Sequence, residues 1–170
     1  AKRMREWLAQ LRNDNAQGEY YLTDVVVLAA KAGLKVNVIP ADSEDEVLGV
    51  NDKVQLAEVE SIYRRRRATE LMLQGVTLVD PATTYIDSDV DVGADTVIHP
   101  CVHLEGSTRV GTACEIHSGT RIVNSTVGDR VTLLNHSVVV DSTIGTGCSV
   151  GPFAHLRPGS VLGSDARVGN

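Results

Sequence analysis

The sequence is short of cysteine, of long apolar runs and of basic charge, and each shortage closes off a class of protein. Cys101, Cys114 and Cys148 are its three cysteines, and no two of them form a CxxC pair. No apolar stretch approaches the roughly 20 residues of a membrane span. The run Val25 to Ala30 is too short and lies mid-chain, so it is not a signal peptide either. Sixteen basic residues against 22 acidic ones leave a net charge of −6. That balance argues against a nucleic-acid surface, which is usually basic. No membrane partner and no nucleic-acid partner are expected, and the cytoplasm is the address left by default.

What the sequence does hold is a beat. Fifteen aliphatic residues recur at intervals of six, from Ile86, Val92, Ile98 and Leu104 through to Leu156, Leu162 and Val168. The interval shortens by one residue twice, at Ile122 to Val127 and at Val139 to Ile144. A short, sustained period is the signature of a repeat architecture. The residue two before each aliphatic is small or β-branched, as at Thr84, Val90, Cys114, Ser137 and Ala166. Alternation puts both positions on one face of a short strand. A glycine often follows the aliphatic, as at Gly93, Gly111, Gly128 and Gly145. That placement suits a sharp turn or a backbone with positive φ.

Units of this kind stack into a parallel β-helix, burying a continuous core that no single unit could bury alone. Three units make a coil of about 18 residues, and fifteen units make about five coils spaced about 4.8 Å apart. A β-sandwich is the competing reading, but its strands recur every 8–12 residues or so with variable turns. The beat is silent on handedness, and right-handed crossovers are the general default. Cys114 and Cys148 fall on the small inward position, two coils or roughly 10 Å apart. That exceeds the reach of a disulfide, about 7 Å between Cα atoms. Reduced thiols and a reducing compartment are therefore expected.

Residues 1–80 lack the beat. Met4 to Leu11 reads as a short helix, and Asn13 to Glu19 as a polar loop around Gly18. Asp24 to Ala32 reads as an apolar helix, with Thr23 as a possible N-cap and Gly33 as its stop. Leu34 to Ile39 alternates and is expected to be a strand closed by Pro40. Ser43 to Glu46 is acidic and expected to be exposed. Asn51 can cap a long helix running to about Gln74 and stopping at Gly75. Val76 to Val79 looks like another strand. One clear strand is too little for a covered α/β layer. The last repeat stops without a polar cap, which open solenoid ends need. Both ends suggest a piece of a longer protein.

Five segments carry a family resemblance, in order along essentially the whole chain. They are Asn15 to Asp24, Gly49 to Leu56, Gly75 to Pro81, Gly151 to Gly159, and the beginning of a fifth at Val168-Gly169-Asn170. Together they resemble the bacterial bifunctional UDP-N-acetylglucosamine pyrophosphorylase / glucosamine-1-phosphate N-acetyltransferase family. The resemblance implies an α/β fragment, the C-terminal part of a nucleotidyltransferase domain, over 1–53. A linker helix over 54–74 and the N-terminal part of a left-handed parallel β-helix over 75–170 would follow. It also implies a homotrimer packed along the β-helices, and so a handedness opposite to the default.

Two reactions are implied, both feeding peptidoglycan and lipopolysaccharide precursors. One moves an acetyl group from acetyl-CoA to glucosamine-1-phosphate. The other is Mg²⁺-dependent transfer of a uridylyl group from UTP to N-acetylglucosamine-1-phosphate. Mg²⁺ favours oxygen ligands, and the resemblance gives Asn51 contact with both the metal and UDP-N-acetylglucosamine. On the residues alone, Asn51 reads equally well as a helix cap. The resemblance assigns Arg157 to the sugar phosphate of the acetyl-transfer site. Without it, Arg157 is an arginine on a solvated face at a coil corner. The family's catalytic histidine and CoA-binding residues fall beyond Asn170, so neither activity is expected of residues 1–170 alone.

Three further readings belong beside this one. The chain could serve only as a trimerisation scaffold without catalysis. His99 and His117 lie 18 residues apart and should stack on adjacent coils. With a histidine from a neighbouring copy they could form a zinc site like that of γ-type carbonic anhydrases. The slip at Val127 removes His136 from that stack. Finally, Arg64 to Arg67 spread around a helix and are expected to be solvated or paired with Glu58, Glu60 and Glu70.

Overall fold

The computed structural model describes residues 2–169. The chain divides into two compact units, Ala1–Val47 and Leu48–Asn170, which are taken separately.

In the first unit α1 spans Lys2–Leu8, α2 spans Asp24–Lys31, and a 3-10 turn spans Glu44–Val47. α1 is shifted from the expected Met4 to Leu11, starting at Lys2 and ending at Leu8, after which the Gln10 N–H turns to the Trp7 carbonyl and the Leu11 N–H to the Leu8 carbonyl. Thr23 makes no side-chain cap to α2. The end of α2 is as expected: the Gly33 N–H bonds to the Ala30 carbonyl and the Leu34 N–H to the Ala29 carbonyl, closing the helix in a glycine-terminated Schellman motif. Leu34 to Ile39 does not form the expected strand. A strand needs a neighbour to take up its N–H and C=O groups, and no other segment among the described residues of this unit pairs with it. Val38 and Ile39 are left 84% and 91% exposed. Only Val25 of the described residues in this unit is buried, so the α/β character here is modest.

The second unit opens with α3, Lys53–Leu73. Its N-cap is Asp52 rather than Asn51: the Asp52 carboxylate accepts from the Gln55 N–H at 2.8 Å. Gln55 reaches back and accepts from the Asn51 N–H at 2.7 Å. This is a capping box displaced by one residue. At the far end Gly75 takes a φ of +96°. The Gly75 N–H bonds to the Met72 carbonyl and the Val76 N–H to the Leu71 carbonyl, a second Schellman motif. Leu71 and Val76 are both buried, so this turn fastens α3 onto the first coil.

Residues from Thr77 onward form a three-sided parallel β-helix of about five coils, with sheets of six, five and five strands. Its hexapeptide units and all-parallel pairing are the architecture of the left-handed β-helix, and they exclude a sandwich. Each sheet stacks one column of the aliphatic beat. The first sheet stacks Leu78, Ile98, Ile116, Leu133, Val150 and Val168. Every aliphatic of the beat from Ile86 to Leu156 is buried, and Leu162 and Val168 are partly so. The small inward positions from Thr84 to Ala154 are buried as well, their hydroxyls and thiols bonded to nearby carbonyls. Polar atoms can line this core because each finds an acceptor. All three cysteines are free thiols; Cys101 is exposed and the other two are buried. Burial raises the Cys114 thiol above its ordinary pKa.

Four of the glycines that follow the aliphatics serve close approach and have no positive φ, while Gly151, after Val150, does take a positive φ of +100°. A Cβ on Gly93, Gly111, Gly128 or Gly145 would lie 3.0 Å or less from the main chain of the next coil. Positive φ otherwise falls at the turns, including non-glycine residues such as Ala113, Asn124, Arg130 and Asp165. Left-handed backbone costs such residues about 1–2 kcal/mol each. Each of these N–H groups donates to a carbonyl of the preceding coil, which offsets that cost. The two slips also have a structural form. Val97 pairs with Glu115, eighteen residues on, but Glu115 pairs with Thr132, only seventeen on. The lost residue comes from one corner. There the Asn124 side chain lies over Gly106 and accepts from the Ser107 N–H at 3.2 Å.

Arg64 and Arg67 pair as expected, with Glu60 at 4.0 Å and Glu70 at 3.2 Å, and both also turn toward the β-helix on the side of α3 that buries Ala68 and Leu71. The Arg64 guanidinium lies 4.5 Å from the centre of the Tyr85 ring, and Arg67 donates to the Val90 carbonyl. Arg65 and Arg66 remain exposed.

Between coils, Arg121 grips Glu105 through two hydrogen bonds, 2.8 and 2.7 Å long. That grip holds the Glu105 carboxyl below the usual carboxylate range. The Thr112 N–H and hydroxyl do the same for Asp129. A depressed folded pKa stabilises the fold above the unfolded value, about 4 for such groups. The stabilisation is lost as pH falls through the folded value. Urea unfolding should therefore show the midpoint dropping below about pH 4. The drop should be shallower in Glu105→Gln; an unchanged slope would rule out this origin.

Candidate functional site

Asn51 sits one residue before the cap of α3. Asp52 takes the capping task, so the Asn51 carboxamide makes no hydrogen bond among the described residues and is exposed. The alternative reading of Asn51 as the cap is thereby replaced. Its amide oxygen is a hard donor of the kind Mg²⁺ accepts. The fit is that of one ligand among several, because the Asp52 carboxylate beside it is engaged with the helix.

Arg157 sits at a β-helix corner, just after the strand His155–Leu156. Its main chain is pinned: the Arg157 carbonyl accepts from the Ser142 and Ser160 hydroxyls and from the Ser160 N–H. Its side chain is exposed and has no ion-pair partner among the described residues. A guanidinium on a fixed corner, free of carboxylates, suits a phosphate group.

Asn51 and Arg157 lie far apart in sequence, and nothing in the structure brings them into one pocket. They belong to separate chemistries or to none shared. A depression of about 390 Å³ lies between α3 and the first coil and is lined by Glu60, Arg64, Tyr85 and Asp87 among others. Neither candidate lines it. The segment Asn15 to Asp24 is organised from within. The Asn15 side chain accepts from the Gln17 and Glu19 N–H groups and donates to the Glu19 carbonyl. That is the work of a side chain shaping a loop.

The histidines fall as expected. His99 and His117 stack on adjacent coils, ring centres 4.7 Å apart and 6° from parallel. His136 stands out of that column; it packs over Gly119 and stacks on Phe153 instead. His103 and His155 share the sheet that stacks Leu104, Ile122, Val139 and Leu156, three coils apart. The sequence reading missed Glu115, whose Oε1 lies 3.2 Å from His99 Nε2 and 3.5 Å from His117 Nε2. The signal was present, since Glu115 sits two residues before His117 on the same outward face.

A solenoid of parallel hexapeptide coils behind a long helix defines the class, a left-handed β-helix protein. Residues 79–170 match the family model described as the GMPPB C-terminal domain, and the chain belongs to that family. Over nearly its whole length it is also similar to a set of bacterial proteins named bifunctional protein GlmU. The GlmU of Pelobacter propionicus is 47% identical over 163 residues, that of Shouchella clausii 46% over 165, and that of Brevibacillus brevis 50% over 163. These alignments cover 96%, 97% and 96% of the chain. The chain spans about a third of the length of these relatives, 35% or 36%. No helix among the described residues is long and apolar enough to cross a membrane.

Proposed function

We propose that this chain is part of a bifunctional enzyme that makes UDP-N-acetylglucosamine. The longer protein transfers an acetyl group from acetyl-CoA to glucosamine-1-phosphate, then a uridylyl group from UTP to the acetylated sugar phosphate. The carrying observation is similarity at 45–50% identity over nearly the whole chain to proteins named bifunctional protein GlmU. Residues 1–53 are assigned to the uridylyl-transfer domain, 54–74 to a linker helix and 75–170 to the acetyl-transfer β-helix. The protein works in the cytoplasm as a homotrimer packed through its β-helices, and it supplies cell-wall precursors. Residues 1–170 alone are expected to be inactive and to act as scaffold.

In this reading Asn51 would hold Mg²⁺ through its carboxamide oxygen and contact UDP-N-acetylglucosamine. The metal neutralises phosphate charge during uridylyl transfer. The capping box fixes the main chain at Asn51, so its side chain is presented from a rigid helix start. Arg157 binds the phosphate of glucosamine-1-phosphate, orienting the amine that accepts the acetyl group. Its pinned carbonyl holds the corner still while the guanidinium reaches outward.

The test uses the full-length protein with both reactions assayed separately. Arg157→Ala should lower kcat/KM for acetyl transfer by about 10- to 100-fold, the worth of a charged hydrogen bond, and leave uridylyl transfer unchanged. Asn51→Ala should show the opposite selectivity and need more Mg²⁺. If both variants affect both reactions equally, or neither reaction, the assignments fail.

A further inference from the structure

Outside the proposed substrate sites, one cluster of metal-binding side chains stands on the first sheet. We propose that His99, Glu115 and His117 form an intrachain site for a divalent transition ion of the zinc type. It differs from a site shared between copies, because all three donors come from one chain.

The register builds it. The His99 N–H bonds to the Ile116 carbonyl and the His117 N–H to the Leu133 carbonyl. These bonds lock the two histidines onto adjacent coils, one above the other. Each follows an inward isoleucine, so alternation turns both rings outward. Glu115 precedes Ile116 and turns outward from the same sheet. A single carboxylate oxygen then faces both imidazoles, 3.2 and 3.5 Å from their Nε2 atoms. All three donor atoms lie within 4.8 Å of one another.

Those lengths are close to what a metal needs. Bonds of about 2.0–2.2 Å in tetrahedral array set donors roughly 3.3–3.5 Å apart. Both carboxylate-to-imidazole separations already match. The two imidazoles, stacked with ring centres 4.7 Å apart, have to turn toward a shared ion by side-chain rotation. Glu115 has no lysine or arginine partner among the described residues; its partners are these two histidines.

The donor set selects the ion. Two imidazole nitrogens and one carboxylate suit Zn²⁺, Ni²⁺ or Cu²⁺ and not Mg²⁺. The side chains of His99, His117 and Glu115 are 29%, 25% and 49% exposed. An ion can therefore enter from solvent and keep water in its remaining position. Val79 and Leu134, the neighbours of the pair on the coils to either side, are apolar.

Zinc chloride titrated against a chromophoric chelator tests this on the metal-free protein. One zinc per chain should bind, with millimolar Mg²⁺ unable to compete. His117→Ala should weaken binding by about a hundredfold or more and Glu115→Gln by about tenfold or more, since even partners that touch only a metal's ligands are worth about 10- to 100-fold. Cys101→Ser, which removes the exposed thiol, should leave binding intact. Thermal melting of each metal-free variant checks that the fold is kept, as all three ligands point away from the core. Zinc bound equally by wild type, His117→Ala and Glu115→Gln would overturn the proposal. So would the absence of binding by the wild type, or one zinc per several chains.

Discussion

Leu133→Ala is expected to destabilise the β-helix by about 4 kcal/mol. Leu133 is fully buried in the first sheet, between Ile116 on one side and Val150 on the other. Truncation removes its transfer free energy and leaves a cavity, and the hydrogen-bonded coils above and below cannot collapse into it. A solenoid is also held together only by neighbour contacts. Loss at one rung therefore weakens the link between the coils before it and those after it. Urea denaturation should show a lower midpoint and a broader transition. Leu162→Ala, at a half-buried rung, should lose less than half as much. Equal losses from the two variants would contradict this account.

Gly128→Ala should cost about 3 kcal/mol, or roughly 6–12 °C in Tm for a chain of this size. The added Cβ would sit 2.8 Å from the Thr146 nitrogen and 3.0 Å from the Gly145 carbonyl carbon. Both are main-chain atoms of the next coil, held there by the Gly128 N–H bond to Ile144. No flexible side chain can give way, so the coils must separate locally. Gly163→Ala makes the control. It lies at an equivalent corner and its Cβ would meet nothing within 4 Å. Thermal melts of the two variants should differ clearly; if they coincide, close approach is not the reason for these glycines.

The β-helix was legible because its signal repeats. One misleading residue is outvoted when the same two inward positions recur from Ile86 to Val168. The slips were legible too, as was the resulting displacement of His136. The parts that were not legible depend on partners that sequence spacing does not name. Asp52 and Asn51 are both good caps, and only the contact with Gln55 separates them. Leu34 to Ile39 has the alternation of a strand, but alternation does not supply a neighbour. Arg64 and Arg67 turn inward because they share a helix face with Ala68 and Leu71, a pattern masked by the four-arginine run. Glycine after an aliphatic suggested a sharp turn or positive φ, which Gly151 has, but at Gly93, Gly111, Gly128 and Gly145 the constraint was the coil next door.

The seventeen-residue coils bear on how such a chain can change length over evolution. Two corners of every coil keep the same number of residues, while the third is spelled Glu105-Gly106-Ser107 in one coil and Val123-Asn124 in the next. The Asn124 side chain occupies the space the missing residue leaves. Single-residue insertions and deletions among relatives should therefore gather at this corner, at 105–107, 123–124 and 140–141. A deletion inside a strand would turn its inward side chains to the outside. One edge of the prism thus serves as a spelling margin, where the text can lengthen or shorten without disturbing the lines beneath it.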